Sequence, residues 1–108
     1  HQLPFIQVHS VAEIEAQMTQ AASQQQLVML DLYADWCVAC KEFERDTFSA
    51  EVVVAATDNV ILLQADVTDN RPTFYIIFKD NKEVERSRVT GFMAADPFAQ
   101  HIEALKER

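Results

Sequence analysis

Cys37 and Cys40 are the only two cysteines in this chain of 108 residues, and they are spaced C-x-x-C. Two thiols so placed can carry one dithiol–disulfide couple. They follow the apolar run Leu27-Val28-Met29-Leu30-Asp31-Leu32-Tyr33. They precede Lys41-Glu42-Phe43-Glu44-Arg45, which reads as a continuing helix. On that reading the Cys37 sulfur sits exposed at a helix N-terminus, beside backbone N–H groups that have no partner within the helix. Cys40 lies one turn further on, close enough to close a disulfide. Cys37 is then the expected nucleophile, attacking a partner disulfide as thiolate. Cys40 is the expected resolving thiol.

Two other uses of the pair fit less well. Structural zinc takes four ligands, and His1, His9 and His101 stand near the two ends of the chain, far in sequence from the cysteines. No metal and no cofactor is expected. A purely stabilising disulfide would gain little, because the loop it closes is very short.

Two acids belong to the same constellation. Asp31 interrupts a strand of the type covered on both faces. Burial disfavours the ionised carboxylate, so its pKa is expected to be raised. A solvated Asp on an edge strand is the alternative. Glu44 comes seven residues after Cys37, two turns along the same helix face; the alternative is a solvent-facing glutamate. The helix N-terminus lowers a thiol pKa, whereas ionised Asp31 and Glu44 raise it. The acids are expected to win, leaving Cys37 mostly protonated near neutral pH and slow towards random disulfides. Trp36, directly before Cys37, is expected to pack beside the site, with a plain core tryptophan as the alternative. Lys41, Glu42 and Arg45 read as solvated helix surface.

The elements that position these residues follow from periodicity. Pro4 to Val8 reads as an edge strand. Ser10 and Glu13 match a capping box, opening a helix to about Ser23 with Val11, Ile14, Met18 and Ala21 as its inner stripe. After the active-site helix, Ser49 is expected to cap a continuation over Ala50 to Ala56. Val60 to Val67 reads as a second buried strand. Thr73 to Lys79 and Glu83 to Thr90 read as a hairpin about Asp80-Asn81-Lys82. Asp96 is expected to cap a last helix with Pro97 at its first position and Phe98, Ile102 and Leu105 inside. One link is too short for this order. A parallel connection from Val67 to Thr73 needs about a dozen residues or more, usually a helix; an antiparallel hairpin is possible on length, but Asn70-Arg71-Pro72 is not a favoured turn. A crossover helix is therefore expected to be missing from the sequence between about Asp69 and Arg71. The single glycine, Gly91, is also few for so many turns.

Composition bounds the rest. At 49% apolar and 24% charged residues, this is an ordinary globular domain, expected as one unit over residues 1–108. A net charge of −8 argues against nucleic acid and anionic membrane surfaces as partners. No signal peptide and no apolar run near 18 residues is evident. The cysteine pair does not by itself fix the redox compartment.

The motif, the element order and Pro72-Thr73 ahead of a strand resemble the thioredoxin fold, an α/β arrangement of a central mixed sheet flanked by helices. The block from Met29 to Glu44 is more specific. It resembles the C-terminal periplasmic domain of the DsbD family of thiol:disulfide interchange proteins. So do Thr47-Phe48-Ser49, Leu62 to Thr68 and Arg88 to Met93. Arg71 departs from that pattern, where an apolar residue is usual. The resemblance implies an electron relay in which the domain takes electrons from a membrane-embedded domain fed by cytoplasmic thioredoxin. It passes them to an N-terminal periplasmic domain of the same protein, and thence to disulfide isomerases and cytochrome c maturation proteins. It also implies that this domain is a piece of an inner-membrane protein on the periplasmic side, and monomeric in isolation. Asp31 resembles the buried acid beneath the thioredoxin site, a proton acceptor for Cys40. Pro72 resembles the cis-proline facing the disulfide, where a partner strand pairs. The alternatives are a stand-alone thioredoxin-like disulfide reductase and, from another class, a non-catalytic thioredoxin-fold binding module.

Overall fold

The apolar run ahead of the cysteines becomes the middle strand of a five-stranded sheet. The computed structural model describes residues 3–68, 75–79, 82–83, 89 and 92–107, with the segments 75–79 and 82–83 as backbone. In chain order the elements are β1 (Ile6–Gln7), α1 (Val11–Ser23), β2 (Val28–Tyr33), α2 (Val38–Glu42), a π-helical turn (Phe43–Thr47), α3 (Glu51–Ala56), β3 (Ile61–Asp66), β4 (Tyr75–Lys79), β5 (Lys82–Glu83) and α4 (Ala95–Lys106). The strand order is β1-β3-β2-β4-β5. β3 runs parallel to both β1 and β2, while β4 runs antiparallel to β2 and β5.

Helices cover both faces of β2, which is why its residues are apolar without alternation. On one face Val28, Leu30 and Leu63 pack with Val8 and with Ala21, Ile14 and Met18 of α1. Val11, expected in that stripe, is 69% exposed; contact with the sheet begins one turn later, at Ile14. On the other face Met29 and Leu62 pack with Phe43, Phe48, Val53, Phe98, Ile102 and Leu105. Phe43 is at the centre, with ring centroids 5.2 Å from Phe48 and 5.7 Å from Phe98. Large rings filling the space between sheet and helices are the main apolar contribution to this layer.

Local signals place most helix ends. Ser10 Oγ accepts from the Glu13 N–H at 3.2 Å. The Glu13 carboxylate reaches back to the His9 N–H at 2.6 Å, one residue earlier than in the usual capping box. Ser49 does not cap α3: its Oγ donates to the Arg45 carbonyl at 2.6 Å, and Ala50 precedes the helix without a side-chain cap. α4 begins at Ala95 after Ala94, so Asp96 and Pro97 fall at its second and third positions, not at the cap and first. A missing N–H is harmless throughout that first turn, and the Asp96 charge faces the positive helix end. Positive φ falls on Gln25 (57°) and Asn59 (63°), so at least these two turns do without glycine.

The link between β3 and β4 is neither a parallel crossover nor a hairpin, since β4 runs opposite to β3 but pairs with β2. Because β3 is parallel and β4 antiparallel to β2, β4 starts at the sheet edge where β3 ends, two strand spacings or about 10 Å away. Residues 67–74 suffice to span that distance, so chain length does not itself demand a helix. The stretch from Asp69 to Arg71, where a missing helix was expected, lies outside the described residues, as does Pro72.

Candidate active site

β2 delivers the chain into the site and α2 takes it out. Val67 donates its N–H to the Tyr33 carbonyl, extending the β2–β3 ladder to the edge of the site. A turn follows in which the Cys37 N–H donates to the Ala34 carbonyl at 3.1 Å. Cys37 is the N-cap of α2, and its sulfur accepts from the Cys40 N–H at 3.1 Å. A sulfur placed there feels the positive end of the helix, which favours thiolate. Cys37 and Cys40 are joined as a disulfide with Cα atoms 5.2 Å apart. The Cys40 sulfur lies 3.9 Å from the carbonyl oxygen of Leu32, so it rests on β2 itself.

The sequence suggests an exposed Cys37, and the fold buries it. Cys37 is 7% exposed and Cys40 3%, packed with Ala34 and flanked by Tyr33, Ala39 and Val67. The order of exposure is as expected, but the gap is small. A helix start is solvated only when nothing packs across it, and here the end of β3 does. The exposed apolar surface beside the pair comes from Val38, 72% exposed, and Trp36, 47% exposed. Trp36 is therefore no core residue. Its indole N–H donates to the Thr68 carbonyl.

Asp31 is where the apolar pattern implies, 1% exposed in the middle of β2. Its Oδ2 accepts from Gln64 Nε2 at 2.8 Å. Glu44 is solvent-exposed within the π-helical turn. That turn begins one residue before Glu44. Glu44 lines a cavity of about 220 Å³ together with Leu3, Phe5, Gln7, Phe48 and Gln64. Its charge is felt at Tyr33, whose phenol is held above its ordinary pKa by burial, then by the negative charges of Glu44, Asp35 and Asp66, with a hydrogen bond to Asp35 acting the same way. Acids thus gather around Tyr33, which packs beside the cysteine pair.

Several of these positions escape a reading of the sequence. Thr68 Oγ1 accepts from the Asp35 N–H at 3.1 Å and donates to Asp66, whose Oδ1 also accepts from the Thr68 N–H at 2.9 Å. These hydrogen bonds hold the Asp66 carboxyl below the usual carboxylate range. They also fasten the turn carrying Asp35 and Trp36 to the end of β3. Nothing in the local pattern marks Thr68. Gln64 did leave a signal, as a polar residue inside Ile61-Leu62-Leu63-Gln64-Ala65, of the same kind as Asp31. Among the described residues no group of three or more His, Cys, Asp or Glu is placed to hold a metal ion.

Comparison with known proteins agrees with this geometry. The chain is 39% identical over 116 aligned positions to the thiol:disulfide interchange protein DsbD of Vibrio cholerae and 44% identical over 115 to that of Cronobacter sakazakii, covering 94% and 93% of this chain. It spans only about a fifth of the length of these relatives. Both alignments are longer than the 108-residue chain, so the relatives carry residues inside the matched stretch that this chain lacks. The oxidised C-terminal domain of Neisseria meningitidis DsbD superimposes with a TM-score of 0.75 at 27% identity, covering 92% of this chain and 98% of that one. Thioredoxin NaTrxh from Nicotiana alata shares the fold, with a TM-score of 0.65 at 22% identity over 99% of this chain and 91% of its own. The Cys37–Cys40 pair on this scaffold is that of a thiol–disulfide exchange domain. The model of the thioredoxin-like family matches residues 9–87, well over half the sequence, and the chain belongs to that family.

Proposed function

We propose that this domain is a protein-disulfide reductase that relays two electrons at a time between protein partners through Cys37 and Cys40. The observation that carries the reading is the disulfide at the N-terminus of α2, on a scaffold matching the C-terminal part of DsbD. In the reduced domain the Cys37 thiolate attacks a partner disulfide. One S–S bond forms, one breaks, and the first partner sulfur leaves as thiolate and takes a proton. Cys40 then gives its proton to Asp31 and attacks the Cys37 sulfur. The second partner sulfur departs, and the domain is left oxidised as in this structure. A donor dithiol reverses the sequence.

The donor we infer is a membrane-embedded domain, and the acceptor a periplasmic partner domain of the same protein. The 108 residues are then one thioredoxin-like unit of a longer membrane protein, on the periplasmic side. The size of the relatives supports this, each about five times the matched stretch. Among the described residues no helix is long and apolar enough to cross a membrane. Trp36 and Val38 offer the apolar rim on which a partner docks beside the buried sulfurs, and Pro72 remains the proposed partner of an incoming strand. The extra residues of the relatives support a segment missing from this chain, and we place it near Asp69 to Arg71.

Trapping tests the assignment. The Cys40→Ser domain, incubated with an oxidised partner domain, accumulates a mixed disulfide through Cys37, because the resolving thiol is gone. A mixed disulfide formed through Cys40 in Cys37→Ser, with none through Cys37, would reverse the roles.

A further inference from the structure

Three polar side chains stand in one row across three strands. Gln7 of β1 is in register with Gln64 of β3, and Gln64 with Asp31 of β2. Gln7 Nε2 donates to Gln64 Oε1 at 2.7 Å, and Gln64 Nε2 donates to Asp31 Oδ2 at 2.8 Å. The row runs from the exposed sheet edge to a residue 1% exposed. Gln7 and Gln64 line the cavity that Glu44 also borders. Packing alone does not call for these amides. Met29 and Leu62, on the same face, show that apolar side chains fill it. A half-buried glutamine there is unfavourable unless both ends of its amide are engaged, and both are.

An amide shows its neighbour either a donor or an acceptor, according to how it is turned. By donating to Oε1 of Gln64, Gln7 leaves Nε2 turned toward Asp31. A donor at that place favours the carboxylate over the acid and opposes the effect of burial. The same three side chains also accommodate the acid. Protonated Asp31 donates to Gln64 Oε1, and Gln64 Nε2 then donates to Gln7. The number of hydrogen bonds in the row is unchanged, and Asp31 stays buried.

We propose that Gln64, oriented by Gln7, is a positioning residue for the proton acceptor of the exchange reaction, holding Asp31 in place behind the cysteines and reversing its hydrogen bonds when Asp31 takes the Cys40 proton. This rests on the reading of Asp31 as that acceptor. The proton passes from the Cys40 sulfur to Asp31 as Cys40 displaces Cys37 from the mixed disulfide, and it returns when the domain is reduced again. The amides gain and lose none. Other titratable groups near the row are Glu44 of the π-helical turn, on the same cavity, Tyr33, two residues along β2, and Cys40, whose sulfur lies 3.9 Å from the carbonyl of Leu32, next to Asp31. Tyr75 stands opposite Asp31 on β4.

The test uses the reduced domain as wild type, Gln64→Leu, Gln7→Leu, Asp31→Asn and the Asp31→Asn, Gln64→Leu double variant. Two quantities are followed with pH: the Asp31 carboxyl carbon shift by NMR and the rate of Cys37 alkylation. Loss of the donor in Gln64→Leu raises the Asp31 midpoint by about one pH unit. Gln7→Leu, a change at the exposed edge, raises it by less. In Gln64→Leu the alkylation profile moves to lower pH, since Asp31 repels the Cys37 thiolate over a narrower range. In the Asp31→Asn background Gln64→Leu changes nothing. A wild-type Asp31 midpoint in folded Gln64→Leu overturns the proposal, and if that variant does not fold, a wild-type midpoint in Gln7→Leu does so. An alkylation profile unmoved by Asp31→Asn would instead sink the reading of Asp31 itself.

Discussion

The indole N–H of Trp36 donates to the backbone carbonyl of Thr68. The residue before the nucleophile is thereby tied to the end of β3, thirty-two positions later in the chain. Thr68 holds the same turn a second way, through Oγ1 and the Asp35 N–H. The site thus stands on two strand ends, β2 and β3, clamped by one threonine.

Removing the Thr68 hydroxyl should loosen that clamp. Thr68→Val keeps the shape and deletes the side-chain hydrogen bonds to Asp35 and Asp66, leaving the one from the Thr68 N–H. A loss of about 1 kcal/mol in stability is expected, with lower Trp36 fluorescence anisotropy. Thermal unfolding and anisotropy of the oxidised domain check this. Unchanged anisotropy would mean that the bond from the indole to the Thr68 carbonyl holds Trp36 without help from the hydroxyl.

The clamp should also respond to acid. Hydrogen bonds from the Thr68 side chain and N–H lower the Asp66 pKa from its ordinary 3.8. A carboxyl whose folded pKa is depressed contributes stability that is present above the unfolded value and lost as pH falls through the folded one. The Trp36 environment is therefore constant above about pH 4 and changes below it. In Asp66→Asn that acid transition disappears from the Trp36 fluorescence.

Charge near the cysteines should set the reactivity of Cys37. Asp31→Asn lowers the apparent Cys37 pKa by about one pH unit and speeds alkylation near pH 7. It also slows resolution by Cys40. Glu44→Gln acts in the same direction but less, because Glu44 is exposed to solvent. The pH dependence of Cys37 alkylation in the three proteins decides; coincident profiles would remove the electrostatic account.

Phe43 is 1% exposed and contacts the rings of Phe48, Phe92 and Phe98. Phe43→Ala should cost about 3–5 kcal/mol. It follows Glu42, the last residue of α2, so the loss should also weaken the support of the cysteine-bearing helix. Chemical denaturation of the oxidised variant measures it.

What the sequence determined alone was local. Cys37 and Cys40 are three apart, and any helix starting there brings their sulfurs together. The unbroken apolar run of β2 implies cover on both faces, which makes Asp31 a buried acid. Periodicity found α1, β3 and the inner face of α4 because a core-facing side repeats with the geometry of its own element. Tertiary structure decided whatever joins segments distant in sequence. Gln7, Gln64 and Asp31 form a row only because β1, β3 and β2 pair in one register. Thr68 reaches Asp35 and Trp36 only because β3 ends beside β2. The burial of Cys37 has the same cause, since Val67 at the end of β3 packs against the sulfur pair. The direction of β4, opposite to β3, was likewise decided by its pairing with β2. The π-helical turn at Phe43–Thr47 was not marked by the local pattern either. In each case the deciding contact lies across the sheet or between layers, where the chain's local pattern carries no record of which partner will stand opposite.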